Sequence, residues 1–587
     1  MPFTPRRLFT AGVAGLVLAG AFSVPATATA PVPDPTVTTA AARSATTSDS
    51  ESRRVDRVAT PALHWYSCYG WAQCTTAQVP LDYDRPWGEQ TTVALLRVKA
   101  TDQKHKIGSL FVNPGGPGAS ATTLALAAPL FLSDALLTRF DIVGMDPRGI
   151  GFSDELQCFG SAGAQAKALK GMDPYFPVGR KQEKAYIKAA KKLGKACATT
   201  GRDLAGSMST AEVARDMDVM RRAVGDSKLN YLGFSYGSAL GQYYANMFPD
   251  RFRTLAVDGT IYPRAWAGSR KTQEVVQDDR LRSADGAYRA LMEILKRCSA
   301  AGPAKCAFAG TNVAQKFRTI AGRLKKEPVT ILSFKFTYAD FIGLVLGELY
   351  SPTGGDEIAA IAAELWTMTS TGSATAKATA AIAYAKRLGR SFPYDNSIEA
   401  YAAVMCTDGL HPAKASSWRK AAAAADRRAP YFGRAWAWAS VPCAGNAWQV
   451  RDEDAYRGPF NRRTGNTVLI VGSYWDPATN YADAVKSAKS LPNSRLLSSD
   501  NWGHTAYGTS SCADKYIDQY LLYKDLPAKG AVCTGDDQPF TETLEEASAT
   551  SEPVGLELRT ASKAQIAAYG LPAPGTPKQL PPVAAGR

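Results

Sequence analysis

The chain has 587 residues, 45% of them hydrophobic and 21% charged, enough for more than one ordinary domain or for one α/β core with insertions. Its formal charge of +15 would fall to +13 if Arg6 and Arg7 were removed. Such a charge admits acidic partners, but the Lys and Arg residues are scattered through helical patterns such as Lys181–Lys195 and Lys316–Lys326, which read as solvated faces. No aromatic-basic motif for nucleic acid stands out, so nucleic acid is not an expected partner.

In chain order, the first element is the aliphatic stretch Leu8–Phe22, too short to span a bilayer. It follows Arg6-Arg7 and precedes Ala26-Thr27-Ala28-Thr29-Ala30, so residues 1–30 read as a signal peptide for export. Arg6-Arg7-Leu8-Phe9 matches a twin-arginine signal only in part, and the export route stays open. Nothing later is long and apolar enough for an anchor, so no membrane association is expected after signal removal. Residues 31–60, rich in Ala, Thr, Pro and Ser, read as a disordered leader or propeptide.

Short apolar runs of strand length then follow, at Thr92–Val98, Ser109–Asn113, Phe140–Met145, Leu229–Leu232 and Thr254–Val257, and later at Thr467–Val471 and Arg495–Ser498. Helical patterns alternate with them, notably Thr210–Val224 and Ser238–Met247. The alternation predicts an α/β fold with a mostly parallel sheet covered by helices on both faces. It breaks over residues 262–403, where Thr272–Lys296, Asn312–Lys325, Tyr338–Leu349, Asp356–Ser370 and Ala374–Leu388 all read as helices. That stretch is expected to form an all-helical cap, inserted between core parts at 61–261 and 404–540. Residues 541–587 are expected to be a tail.

Ten cysteines fall into neighbouring couples, and spacing suggests 68–74, 158–197, 298–306, 406–443 and 512–533 without proving the connectivity. Disulfides of this kind fit an oxidising, extracellular setting. A zinc site is disfavoured, because no C-x-x-C pair exists and the four histidines do not cluster with cysteines.

The sharpest chemical signal is Leu229-Asn230-Tyr231-Leu232-Gly233-Phe234-Ser235-Tyr236-Gly237-Ser238, a strand, then G-x-S-x-G, then a helix. A serine on a tight strand-to-helix turn is held in strained geometry, so the residues two away must be tiny. The helix start behind it offers free N–H groups to an oxyanion, Tyr236 N–H foremost. Alone, G-x-S-x-G marks an ordinary turn; its flanking strand and helix favour Ser235 as a nucleophile.

A serine hydroxyl needs a base to take its proton. His64 precedes the sheet, His105 sits in a polar loop, and His411 lies between Cys406 and Pro412 at the cap's exit. Only His504, in Asp500-Asn501-Trp502-Gly503-His504-Thr505, follows the last strand. In the chain order Ser, acid, His, the acid belongs after the penultimate strand, where Gly472-Ser473-Tyr474-Trp475-Asp476 supplies Asp476. It would fix the imidazole tautomer, although it could also cap the helix starting near Ala478. Asp258, one strand early, is the runner-up. After an early strand, Asn113-Pro114-Gly115-Gly116-Pro117-Gly118 can complete an oxyanion hole; Pro117 lacks an N–H, so Gly115 or Gly116 must donate. Asp146-Pro147-Arg148-Gly149 reads as a structural turn fixed by an Asp–Arg pairing.

Together these residues resemble the secreted tripeptidyl aminopeptidases of actinomycetes, in the family that also holds prolyl iminopeptidases. The matching elements are Asn113–Gly118, Asp146–Gly149, Gly233–Gly237, Asp476 through Thr479, Gly503-His504, Cys406-Thr407-Asp408 and Pro442-Cys443, within a span from about Leu63 to Cys533. The resemblance implies an α/β-hydrolase fold with a helical cap and release of short peptides from free N-termini of peptides or proteins. It makes Ser235 the nucleophile, Asp476 the acid and His504 the base, with no metal and no cofactor. Members read the substrate's amino group with carboxylates. Met405 stands where one is expected, a departure that leaves the number of residues removed open. Asp408 is a candidate ammonium partner, or the cap of a turn beside a disulfide. A secreted esterase or lipase with the same triad is the first rival. A non-catalytic binding protein on a hydrolase scaffold is the second.

Overall fold

Short β-branched runs separated by helices can bury both faces of a strand only in a covered parallel sheet. The computed structural model, which describes residues 45–331, 334–371 and 394–546, has that architecture. Its strands are β1 (Tyr66–Cys68), β2 (Ala72–Pro80), β3 (Gln90–Val98), β4 (Gly108–Asn113), β5 (Phe140–Met145), β6 (Leu229–Phe234), β7 (Phe252–Asp258), β8 (Val329–Ile331), β9 (Phe334–Phe336), β10 (Val468–Trp475), β11 (Ser494–Trp502) and β12 (Val532–Thr534). Ten of them form one sheet in the order β1-β2-β3-β5-β4-β6-β7-β10-β11-β12. From β5 to β12 every neighbouring pair is parallel. At the other edge β1, β2 and β3 run antiparallel. All six residues of β4 and of β5 are buried, as a strand covered on both faces requires.

Each of the seven predicted strands lies within an observed one or overlaps it closely. Strands β1, β2 and β12, at or next to the sheet's edges, lacked an apolar signature; β2 reads AQCTTAQVP. The helix Thr210–Ala223 and the helix Tyr236–Met247 also form where their patterns predict, beginning at Ser209 and directly after Ser235.

The structure redraws three boundaries. First, the supposed leader 31–60 includes the helix Asp49–Asp56, capped by the Ser48 hydroxyl, with Val55 buried. Its Glu51 ion-pairs with the buried Arg215. Charge pairing holds this helix, so apolar periodicity could not reveal it. Second, the region 262–403 is not all-helical, because β8 and β9 form an antiparallel hairpin. Third, the helical layer does not end at 403. The helices Ser397–Asp408, Ser417–Arg428 and Phe432–Ala437 precede β10, and Trp418 and Trp438 share one apolar cluster with Leu291, Phe317 and Phe341. The stretch around His411, placed at the cap's exit, lies between two helices of this layer. The signal peptide, residues 31–44, the Ala374–Leu388 helix and residues 547–587 of the tail lie outside the described residues.

All five cysteine couples suggested by spacing are closed as disulfides. Among the described residues, no helix is long and apolar enough to cross a membrane. The expected Asp146–Arg148 pairing is replaced by a wider arrangement. Arg148 grips Asp216 with Nε and Nη2 at 2.8 and 2.6 Å and donates to the Pro80 and Leu81 carbonyls. Asp146 instead accepts from Ser120, Thr122 and the Phe152 N–H. Both side chains are buried, and at this depth the guanidinium needs a carboxylate from the helix Thr210–Ala223 rather than one two residues away.

Candidate active site

The loops that carry the predicted residues all leave the C-terminal ends of parallel strands, where an open α/β sheet presents its ligand crevice. Ser235 follows β6 with φ 56° and ψ −123°, a conformation an L-residue rarely adopts. The flanking glycines are forced by contact. A Cβ on Gly233 would lie 2.5 Å from the Gly237 carbonyl, and one on Gly237 would lie 2.7 Å from the Asn113 carbonyl. The serine hydroxyl caps no helix N–H.

Asp476, fully buried after β10, accepts a hydrogen bond from the imidazole through His504 Nδ1 at 2.8 Å. Its other bonds come from Ala478 N–H and Thr479 N–H at 2.8 Å each, from the Thr479 hydroxyl at 2.7 Å and from Thr505 N–H at 3.3 Å. It therefore orients the histidine and caps the following turn at once. Burial alone would push the Asp476 carboxyl up, but His504 and the Thr479 donors hold it below the usual carboxylate range. Burial likewise disfavours a charged His504, yet the Asp476 charge and hydrogen bond, with Asp258 adding to them, raise the imidazole above its ordinary value. The ring keeps 12% exposure. With Nδ1 committed to Asp476, Nε2 is the nitrogen left to face a reactant.

The end of β7 borders both the Ser235 turn and the His504 ring. The Ser235 N–H donates to the Asp258 carbonyl at 2.9 Å. The next residue, Gly259, has φ +61°, and a Cβ there would lie 3.1 Å from His504 Cε1. Asp258, the runner-up acid, has no bond to the imidazole among the described residues. Its carboxylate accepts the N–H groups of Gly259, Ala506 and Tyr507.

The loop after β4 packs directly on the serine turn. A Cβ on Gly115 would lie 2.5 Å from the Phe234 carbonyl and 2.6 Å from Tyr236 N. The Gly115 N–H is already spent on the Asn113 side-chain oxygen at 2.9 Å. Gly116 N–H is not so engaged among the described residues, and Tyr236, first in its helix, has no intrahelical acceptor for its own N–H. Of the two glycines left open by the sequence, Gly116 is the available donor. Asn113 is a functional residue the sequence reading quoted without assigning; an Asn that bonds the N–H two residues on is a recognisable turn signal.

Asp408 is enclosed by hydrogen-bond donors. It is 1% exposed, and its oxygens accept from Thr210 N–H at 2.7 Å, the Thr210 hydroxyl at 2.5 Å and Trp266 Nε1 at 2.7 Å. Burial, partly offset by those donors, pushes its carboxyl up to about 6. These bonds tie Asp408 to the helix Thr210–Ala223 and to Trp266. Met405 is buried as well, its carbonyl bonded to His411 Nε2 at 3.1 Å. His411 is kept neutral by burial and the nearby Arg280, its pKa pushed down to about 3, so it is no rival base.

The helical layer touches this site from above. The Tyr350 carbonyl accepts the His504 N–H at 3.0 Å, and the Tyr350 ring stands edge-on to the imidazole with centroids 5.1 Å apart. No local sequence signal marks Tyr350, because only tertiary packing brings it there.

Residues 108–291 match the family model described as "alpha/beta hydrolase fold", and residues 429–533 match the model described as "TAP-like protein". The tripeptidyl aminopeptidase of Streptomyces lividans is 30% identical over 566 residues, covering 91% of this chain and 98% of that protein. The serine protease Hip1 of Mycobacterium tuberculosis is 31% identical, covering 81% of this chain and 92% of that protein. Carboxylesterase B of the same species is 32% identical, covering 81% and 91%.

Proposed function

We propose, for a chain that belongs to the tripeptidyl-aminopeptidase-like family of α/β-hydrolase serine hydrolases, that Ser235, His504 and Asp476 release tripeptides from the free N-termini of peptides or proteins outside the cell. The observation that carries the assignment is the Asp476–His504 bond of 2.8 Å, together with Gly259, which follows the residue that receives the Ser235 N–H and whose Cβ position lies 3.1 Å from His504 Cε1. The five disulfides support an extracellular setting.

In this reading Ser235 Oγ attacks the scissile carbonyl carbon while His504 Nε2 takes the hydroxyl proton. Asp476 holds Nδ1–H and stabilises the imidazolium that forms. The oxyanion accepts from Tyr236 N–H and Gly116 N–H. As the tetrahedral species collapses, the C–N bond breaks and His504 delivers its proton to the leaving amine. Water, deprotonated by His504, then attacks the peptidyl ester, and Ser235 regains its proton on release.

Similarity to a carboxylesterase at 32% identity favours one second reading, an esterase with the same triad. Parallel assays on free-amine tripeptide anilides, their N-blocked forms and short-chain esters separate the two. The peptidase reading expects the free-amine anilides to have the highest kcat/KM and Ser235→Ala to lose at least about 10³-fold. Preference for blocked peptides or for simple esters contradicts it, and full activity in Ser235→Ala contradicts the nucleophile itself.

A further inference from the structure

The buried aspartate at the end of β7 has no role in the reaction so far, yet it bonds to both halves of it. Through its main chain, Asp258 O accepts the Ser235 N–H at 2.9 Å and so fixes the strained serine turn to β7. Through its side chain, Asp258 Oδ2 accepts the Ala506 and Tyr507 N–H groups at 2.8 Å each, and Oδ1 accepts Gly259 N–H at 2.6 Å. Ala506 and Tyr507 lie two and three residues beyond the histidine, after Thr505 at φ 75°. The carboxylate is fully buried, and all three of its hydrogen-bond donors are backbone N–H groups. No cation among the described residues pairs with it. Burial pushes the Asp258 carboxyl up and the three backbone N–H groups pull it back; amides offset the cost of a buried carboxylate only when they are held rigidly on the oxygen.

We propose that Asp258 is a positioning residue that sets the reach between the serine and the histidine, holding the serine turn by its carbonyl and the histidine loop by its carboxylate. The inference rests on the assignment of Ser235 as nucleophile and His504 as base. The two loops come from strands that are not neighbours, β6 and β11, with β7 and β10 between them. A tie from β7 to both loops is therefore the shortest available link. Displacements of about 1 Å between reacting groups can cost on the order of 10²-fold in rate, so the loop's anchor matters to the chemistry.

The charge of Asp258 has a second consequence. The groups facing His504 are Asp476 from the β10 loop, Asp258 from β7 and the uncharged Tyr350 ring from the helical layer; Asp514, on the helix Ser511–Tyr523, faces Asp258 in turn. Asp476 and Asp258 both favour the imidazolium. Attack requires the neutral imidazole, so the rate is lost as pH falls through the imidazole pKa. Removing a negative charge lowers that pKa and moves the acid limb to lower pH.

The test is the rate at which a fluorophosphonate labels Ser235, followed against pH in the full chain and in Asp258→Asn and Asp258→Glu. This reagent needs the serine–histidine pair but no peptide site. Wild-type labelling at Ser235 establishes the triad reading independently, and its absence would mean that reading has failed rather than this one. Asp258→Asn keeps the size but sets an NH₂ against an N–H, and is expected to label about 10²-fold more slowly, with the acid limb displaced to lower pH. Labelling within twofold of wild type with an unmoved limb overturns the proposal. If Asp258→Asn does not fold, Asp258→Glu decides. It keeps the charge, so its acid limb stays near wild type while its longer arm displaces residues 506–507 and slows labelling at least tenfold. A wild-type rate in Asp258→Glu overturns the proposal equally.

Discussion

Gly115 shows how closely the reacting groups are packed. At φ +91°, its absent side chain leaves the space through which Tyr236 N–H would reach an oxyanion, since a methyl group there would sit 2.6 Å from that nitrogen. Gly115→Ala is therefore expected to lower kcat by about 10²–10³-fold, the usual loss on removing one oxyanion donor. Steady-state kinetics on a free-amine substrate check this, and an unchanged kcat would show that the loop after β4 takes no part. Such residues were legible where the chemistry demands a residue type in a fixed order: a serine between glycines, an acid, then a histidine. Asp408 is the complementary case: sequence places a carboxylate beside a family motif, and only coordinates reveal that Thr210 and Trp266 donate to it.

Between elements, buried charge does work that apolar periodicity does not record. Arg215, fully buried, pairs with Glu51 at 2.9 Å, Glu212 at 2.5 Å and Asp454 at 2.8 Å. It thereby joins the helix Asp49–Asp56, the helix Thr210–Ala223 and the loop before β10. Arg215→Ala would take one guanidinium from Glu51, Glu212 and Asp454, leaving them only Arg54 or Arg148, and breaking buried pairs of this kind costs about 3–5 kcal/mol. Urea unfolding at neutral pH should show a drop of that order, and a loss below about 1 kcal/mol would mean the network contributes little. The same network explains which elements were legible. Strands β4 to β7, buried on both faces, announce themselves as apolar runs. The helix Asp49–Asp56 and strand β2 are held by ion pairs, ladder bonds and a place next to the sheet's edge, so composition suggested a leader for the one and nothing for the other. The Ser397–Asp408 helix is buried on nearly all sides, which removes the polar stripe that would have extended the helical layer past residue 403.

Over the whole molecule, the helical layer and the sheet meet at the site itself. Tyr350 receives the His504 N–H, and the helix Ser283–Ala301 presses on the loop of the acid, where a Cβ on Gly286 would lie 2.7 Å from the Asp476 carbonyl. The start of the helix Ser397–Asp408 lies over the loop after β4, with Ser397 O 3.6 Å from the Cβ position of Gly118. One layer thus contacts the loops that carry Asp476, His504 and Gly118. The most direct measurement is mass spectrometry of enzyme quenched in acid during turnover of a free-amine peptide ester carrying more than three residues ahead of further leaving sequence. The account predicts a tripeptidyl adduct on Ser235, absent from Ser235→Ala. An acyl group on another residue, or an adduct on Ser235 whose length merely follows the substrate supplied, would contradict it.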